Sequence, residues 1–116
     1  MNVSIVIPTY NRLPILEKCL FALENQKLNT NIRNYEVIVV DDGSTDGTSS
    51  WINENKVNLP HVVLFQQEHS GPALGRNLGV IKSKYEIIIF IDSDLIVLDK
   101  FYKLPRRKIN CLLENE

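Results

Sequence analysis

The sequence is poor in the features that announce a specialised protein. Only two cysteines, Cys19 and Cys111, occur in 116 residues, which excludes a disulfide framework and the paired-cysteine spacing of a zinc site. Five glycines are present, and none builds the Gly-x-Gly-x-x-Gly turn of a dinucleotide-binding domain. No Gly-Lys-Ser/Thr occurs, so a P-loop is absent as well. A basic excess is also missing. With 13 Lys and Arg against 14 Asp and Glu the net charge is −1, which argues against a nucleic-acid binder that works by neutralising phosphates. The first residues, MNVSIVIPTYNR, have no basic n-region and only three successive apolar residues before Pro8. They read as neither a signal peptide nor a membrane span. The expected setting is reduced and cytoplasmic.

What is present is ordinary globular composition, 44% hydrophobic and 23% charged, enough for one domain with a modest core. The charge is uneven: Lys100, Lys103, Arg106, Arg107 and Lys108 crowd the last residues, leaving residues 1–99 at about −4. The most telling stretch is residues 86–94, EIIIFIDSD. Its five successive apolar residues read as a strand buried on both faces. Two carboxylates at the exit of such a strand add nothing to its stability unless a cation or a hydroxyl meets them. In open α/β sheets that exit is where ligands bind.

Elsewhere strands and helices alternate. Val3 to Ile7 forms a strand ended by Pro8. Pro14 opens a helix to about Gln26, with Ile15, Leu16, Cys19, Leu20 and Leu23 at helical spacing and Cys19 buried as a free thiol. Residues 27–34 are a polar loop, and residues 36–40 a second strand closed by Asp41-Asp42-Gly43. Asp46 is the expected N-cap of a short helix over residues 47–55 that carries Trp51 into the core. A third strand covers residues 61–66, with His61 at its edge, and a helix covers residues 71–84, with His69 in the loop before it. The pattern predicts an α/β fold with an open, mainly parallel, Rossmann-like sheet and right-handed crossovers.

Asp42, Ser44, Asp46 and Gly47 fit the first positions of a calcium loop, but position 12 would be Asn53, which has no carboxylate to give. Four segments in order carry a closer likeness: SIVIPTYNR, EVIVVDDGSTDGT, HSGPALGRNLGV and IIIFIDSD. Together they resemble the N-terminal, nucleotide-sugar-binding half of a family 2 glycosyltransferase of GT-A fold, over about Val3 to Val97.

The resemblance implies an inverting transfer of sugar from a UDP- or dTDP-linked donor to an acceptor saccharide or lipid in polysaccharide, lipopolysaccharide or glycoconjugate synthesis. It places Pro8, Thr9, Tyr10, Asn11 and Arg12 around the nucleotide, with Tyr10 offering a ring face to the base. Asp41 is implied to accept the imide N–H of uracil, with Asp42, Gly43 and Ser44 beside it. Arg76 is implied near the base and phosphates, Asp92 at the ribose and metal region, Ser93 among the nucleotide-binding residues, and Asp94, with Asp92, at a Mg²⁺ or Mn²⁺ ion. A sheet order of 3-2-1-4 would bring these segments to one switch point.

Other readings stay open. Asp42 and Asp46 fit a capped turn as well as a ligand contact. A nucleotidyltransferase shares the architecture but wants a glycine-rich basic loop after the first strand, and residues 8–12 supply none. The family's acceptor half and its carboxylate base have no counterpart after Asp94, and residues 100–116 form a basic tail atypical of the family. The expectation is therefore a truncated donor half, a non-catalytic nucleotide-sugar-binding remnant or subunit in the alternative. Its fourth strand would carry an open edge, inviting self-association or a partner chain. The tail suits an anionic membrane surface or plain solvent.

Overall fold

A computed structural model of the chain describes residues 2–25 and 32–92. Ser93, Asp94, the 100–116 tail and most of the 27–34 loop lie outside the described residues. The elements are β1 (Asn2–Thr9), α1 (Leu13–Glu24), β2 (Asn34–Asp41), α2 (Thr48–Glu54), a 3-10 turn at Lys56–Asn58, β3 (Val62–Gln66), α3 (Pro72–Lys82) and β4 (Ile87–Phe90). All pairings are parallel and the strand order is β3-β2-β1-β4, as expected.

Alternation along the strands decides which helix covers which face. Val3, Ile5 and Ile7 of β1 and Val37 and Val39 of β2 join Leu16, Cys19, Leu20 and Leu23 of α1 and Ile52 of α2 in one buried cluster. The intervening Val6, Ile38 and Val40 point to the other face and meet Leu78 of α3. The sheet is therefore sandwiched, with α1 and α2 on one side and α3 on the other. Trp51 packs against the first cluster and meets Phe21 edge-on at 5.8 Å. Cys19 is 3% exposed, and burial pushes its thiol up to about 11, which leaves it inert.

Two boundaries differ from expectation for identifiable reasons. β1 runs through Pro8 to Thr9. Val6 accepts from Ile91 N, so Val6 and Pro8 turn their backbone groups toward β4, and β4 pairs no further than Phe90. The missing N–H of Pro8 thus falls where no ladder bond is called for. Asp46 does not cap α2; that cap is Gly47, at φ 85. The Asp46 carboxylate instead accepts from Leu13 N at 3.0 Å, at the start of α1, and from Thr48 Oγ1. His61 precedes β3 and is held by Glu24, at 2.9 Å from Nδ1.

A buried polar cluster closes the other end of the sheet. Glu36 Oε2 accepts from Ser4 Oγ at 2.7 Å and from Lys84 N at 2.7 Å, while Ser4 Oγ accepts from Tyr85 N at 3.2 Å. One carboxylate oxygen thereby fixes the α3–β4 connection to β1 and β2. Because one oxygen accepts both bonds, a glutamine amide oxygen can replace it. We expect Glu36→Gln to cost only about 1 kcal/mol, the difference between charged and neutral acceptors. A urea titration checks this, and a loss several times larger would show that the charge itself is required.

Candidate functional site

All four strands run parallel, so their carboxyl ends emerge on one side, and β1 and β4 are neighbours where the winding reverses. A cavity of about 390 Å³ opens there. Pro8 and Thr9 line it from the end of β1, Tyr10 and Arg12 from the following loop, and Asp42 from the loop after β2. His69 comes from the β3–α3 loop, Pro72 and Arg76 from α3, and Asp92 from the exit of β4. Residues from positions 8 to 92 therefore share one hollow. Thr9 is 4% exposed, and its hydroxyl has no hydrogen-bond partner among the described residues. A buried, unpartnered hydroxyl on a cavity wall awaits a ligand atom or a water.

The neighbouring aspartates have different surroundings. Asp41, expected to meet the base, does not line the cavity. It is buried, and its Oδ1 accepts from Ser44 N at 3.0 Å, which shapes the turn. Successive residues at a strand end point to opposite sides, so one residue of register decides which carboxylate faces the hollow. That residue is Asp42. Its Oδ1 accepts from Gln67 Nε2 and Ser70 N, both at 2.7 Å, and its Oδ2 from Gly71 N at 3.0 Å. His69 Nδ1 lies 2.9 Å from the same Oδ2. Burial opposes the charge on Asp42, but Gln67, Ser70, Gly71 and the nearby His69 together hold its carboxyl below the ordinary carboxylate value. Asp46 behaves alike: burial raises it, while Thr48 and Leu13 N bring it below the ordinary value.

Several residues expected at the nucleotide build the walls without lining the cavity. Asn11 adopts φ 50, a left-handed conformation that asparagine tolerates. Its N–H donates to Ser44 Oγ at 2.9 Å and its Oδ1 accepts from Thr45 N at 2.8 Å, tying the first loop to the second. Gly43, at φ 85, would place a Cβ 3.1 Å from His69 N. Glycine there lets the third loop dock against the second.

His69 was expected to be loop structure rather than a catalyst. It lines the cavity and stacks on Tyr10, with ring centroids 4.1 Å apart at 26°. Nothing local in the sequence marks it, because its partners Tyr10 and Asp42 are remote along the chain. No cluster of three or more His, Cys, Asp or Glu side chains suited to a metal occurs among the described residues. Asp92, an oxygen donor on the cavity wall, suits a hard cation that completes its shell with ligand phosphate oxygens. No described helix is long and apolar enough to cross a membrane.

The family model for glycosyl transferase family 2 matches residues 4–105. The chain belongs to that family. Among curated family 2 relatives, the poly(ribitol-phosphate) beta-glucosyltransferase of Bacillus spizizenii is 38% identical over 81% of this chain and 15% of its own. GalNAc(5)-diNAcBac-PP-undecaprenol beta-1,3-glucosyltransferase of Campylobacter jejuni is 29% identical over 99% of this chain and 40% of its own. The chain thus spans well under half the length of either. Staphylococcus aureus TarS, solved with UDP-GlcNAc, superposes with a TM-score of 0.76 at 30% identity, covering 89% of this chain and 29% of that one. The mannosyltransferase PcManGT of Pyrobaculum calidifontis, solved with GDP-Man and Mn2+, gives 0.73 at 29% identity, over 84% and 29%. The described residues of this family 2 chain are an α/β unit with the open 3-2-1-4 sheet of the GT-A nucleotide-binding half.

Proposed function

We propose that this chain is the donor-binding part of a family 2 glycosyltransferase, residues 1–99 holding a nucleotide-diphosphate sugar in the cavity at the β1/β4 switch point. The observation that carries this is the convergence of Thr9, Tyr10, Asp42, Arg76 and Asp92 on one hollow, with a buried Thr9 hydroxyl awaiting a partner. The neighbours solved with UDP-GlcNAc and with GDP-Man support that ligand class.

In this reading Tyr10 and His69 face the base, and Arg76 on α3 offers its guanidinium to the diphosphate, a planar cation matched to phosphate oxygens. Asp92, with Asp94 beyond the described residues, holds Mg²⁺ or Mn²⁺. Bound there, the ion supplies Lewis-acid stabilisation of the departing diphosphate, worth several kcal/mol. The sugar leaves with inversion, to a hydroxyl of a saccharide or lipid acceptor deprotonated by a carboxylate base.

Titration calorimetry with UDP and Mn²⁺ tests the binding step. We expect saturable UDP binding that weakens at least about tenfold in EDTA, and a comparable loss in Arg76→Ala from the missing charge-assisted bonds. Absence of UDP and GDP binding, with the fold intact by circular dichroism, would overturn the reading.

A further inference from the structure

α3 departs from the usual rule for a surface helix, which turns an apolar stripe to the core and charges to water. At about 3.6 residues per turn, Gly75 and Gly79 face the sheet, where a Cβ would meet Pro8 and Val6. The opposite side carries Ala73, Leu74, Asn77, Val80 and Ile81, all exposed and none charged. Leu74 is 53% exposed, Val80 42% and Ile81 76%. Half-buried Leu78 lies between Leu74 and Ile81 at helical spacing and joins them into one patch. Single exposed apolar residues are ordinary, but several on one face of an 11-residue helix mark a surface that meets something.

The charges around the patch say what. Residues 71–85 hold Arg76, Lys82 and Lys84 and no Asp or Glu, in a chain whose first 70 residues are net acidic. Arg76 lines the cavity. Lys82 and Lys84, both exposed, follow the patch at its C-terminal end, where Lys82 Nζ lies over Phe65, 5.5 Å from the ring centroid. The complement of an apolar face with a basic end is an apolar surface that bears anions. A second copy of the chain fits poorly, because a contact between two α3 faces would offer Lys82 and Lys84 no carboxylate. The tail fits no better, since Lys100, Lys103, Arg106, Arg107 and Lys108 carry the same sign.

We infer that the outward face of α3 seats on an anionic lipid bilayer. Leu74, Val80 and Ile81 enter the boundary between headgroups and acyl chains, and the Lys82 and Lys84 ammonium groups meet lipid phosphates. α3 also supplies Pro72 and Arg76 to the cavity wall, so seating the helix sets the cavity beside the membrane. The inference stands on α3 alone and does not depend on what the cavity binds.

Vesicle co-sedimentation of the full chain tests this, with vesicles of phosphatidylcholine alone or mixed with an equal amount of phosphatidylglycerol. Wild-type protein should bind the mixed vesicles at least about tenfold more tightly, as expected of two lysines at an anionic surface. The double variant Leu74→Gln/Ile81→Gln should lose at least about tenfold on the mixed vesicles, because two apolar side chains no longer enter the lipid. Both positions are exposed, so its urea unfolding should match that of wild-type protein. Val57→Gln is the control. Val57 is 91% exposed in the 3-10 turn after α2, which packs on the opposite face of the sheet, and its loss should leave binding unchanged. Undiminished binding by the double variant would overturn the inference and assign the lipid affinity to the basic tail. An equal loss in Val57→Gln would also sink it, by showing that the affinity is not specific to α3. Wild-type protein that ignores both kinds of vesicle would refute it outright, and a dimer that the double variant splits would then give the face to a second copy.

Discussion

Asp42→Ala should lose about 3 kcal/mol of stability and about a hundredfold in UDP affinity. Hydrogen bonds to a charged acceptor contribute roughly 1.5–3 kcal/mol each when removed, and four donors are orphaned at once. They do not add in full, because water reaches part of this loop, and so the total stays near the cost of one or two. The affinity loss follows from the same change, since residues 67–71 and the His69 ring lose their anchor. Asp42→Asn should hardly be better. Both oxygens accept from donors, so whichever way the amide turns, its NH₂ faces N–H groups. This contrasts with Glu36→Gln, where a single oxygen makes both bonds.

Acid titration gives an independent check. The folded Asp42 lies below its ordinary value of 3.8, so its contribution is complete above that value. It is lost as pH falls through the lower, folded value. Asp46 shifts in the same direction and adds to the effect. Wild-type protein should therefore lose stability below about pH 4 more steeply than Asp42→Asn, which has no proton to take up there. Parallel acid-denaturation curves for the two proteins would count against the network.

Gly79→Ala should destabilise the fold by about 2 kcal/mol, although alanine is the better helix former. A new Cβ at position 79 would lie 2.2 Å from Val6 Cγ1, 3.0 Å from Cγ2 and 3.2 Å from Cβ. Val6 is fully buried on a central strand and β-branched, so it has little rotamer freedom with which to yield. Overpacking of this kind costs typically 1–3 kcal/mol and occasionally more, while the helix-propensity gain is about 1 kcal/mol. The clash wins. Equilibrium urea unfolding of Gly79→Ala, Val6→Ala and the double variant decides the matter. The second alanine removes the two methyl groups that collide, so the double variant should be more stable than the sum of the singles predicts, by about 1 kcal/mol or more. Gly79→Ala as stable as wild-type protein would mean that α3 slides freely on the sheet.

The parallel sheet was legible in the sequence because solid β-branched runs such as VIVV and IIIF alternate with 3.6-period segments, and few architectures accommodate that alternation. Its 3-2-1-4 order came with the family resemblance. The order, once assumed, put Thr9, Asp41 and Asp92 at converging strand ends. Of these, Thr9 and Asp92 line the cavity and Asp41 does not, while Tyr10 and Arg76 were placed there by the resemblance. What could not be read was which of two adjacent aspartates faces the cavity, because a one-residue difference in register reverses it and both residues look alike in sequence. His69 was missed for a related reason. Its place on the cavity wall is set by a carboxylate 27 residues earlier and a tyrosine ring 59 residues earlier, contacts that only the folded loops create. Asn11 and Asp46 were seen as ligand or capping candidates, but their side chains bind loops from other strands. Pairing of that kind is invisible to local pattern.

Those cross-loop bonds make the cavity rim a single mechanical piece. Asn11 joins the first loop to the second through Ser44 and Thr45, Asp46 fastens the second to the start of α1, and Asp42 fastens the third. Loops tied in this manner open together or not at all, so their amides should exchange with solvent as one unit rather than residue by residue. A ligand arriving at such a rim meets walls already assembled. For these loops little ordering entropy remains to be lost on association.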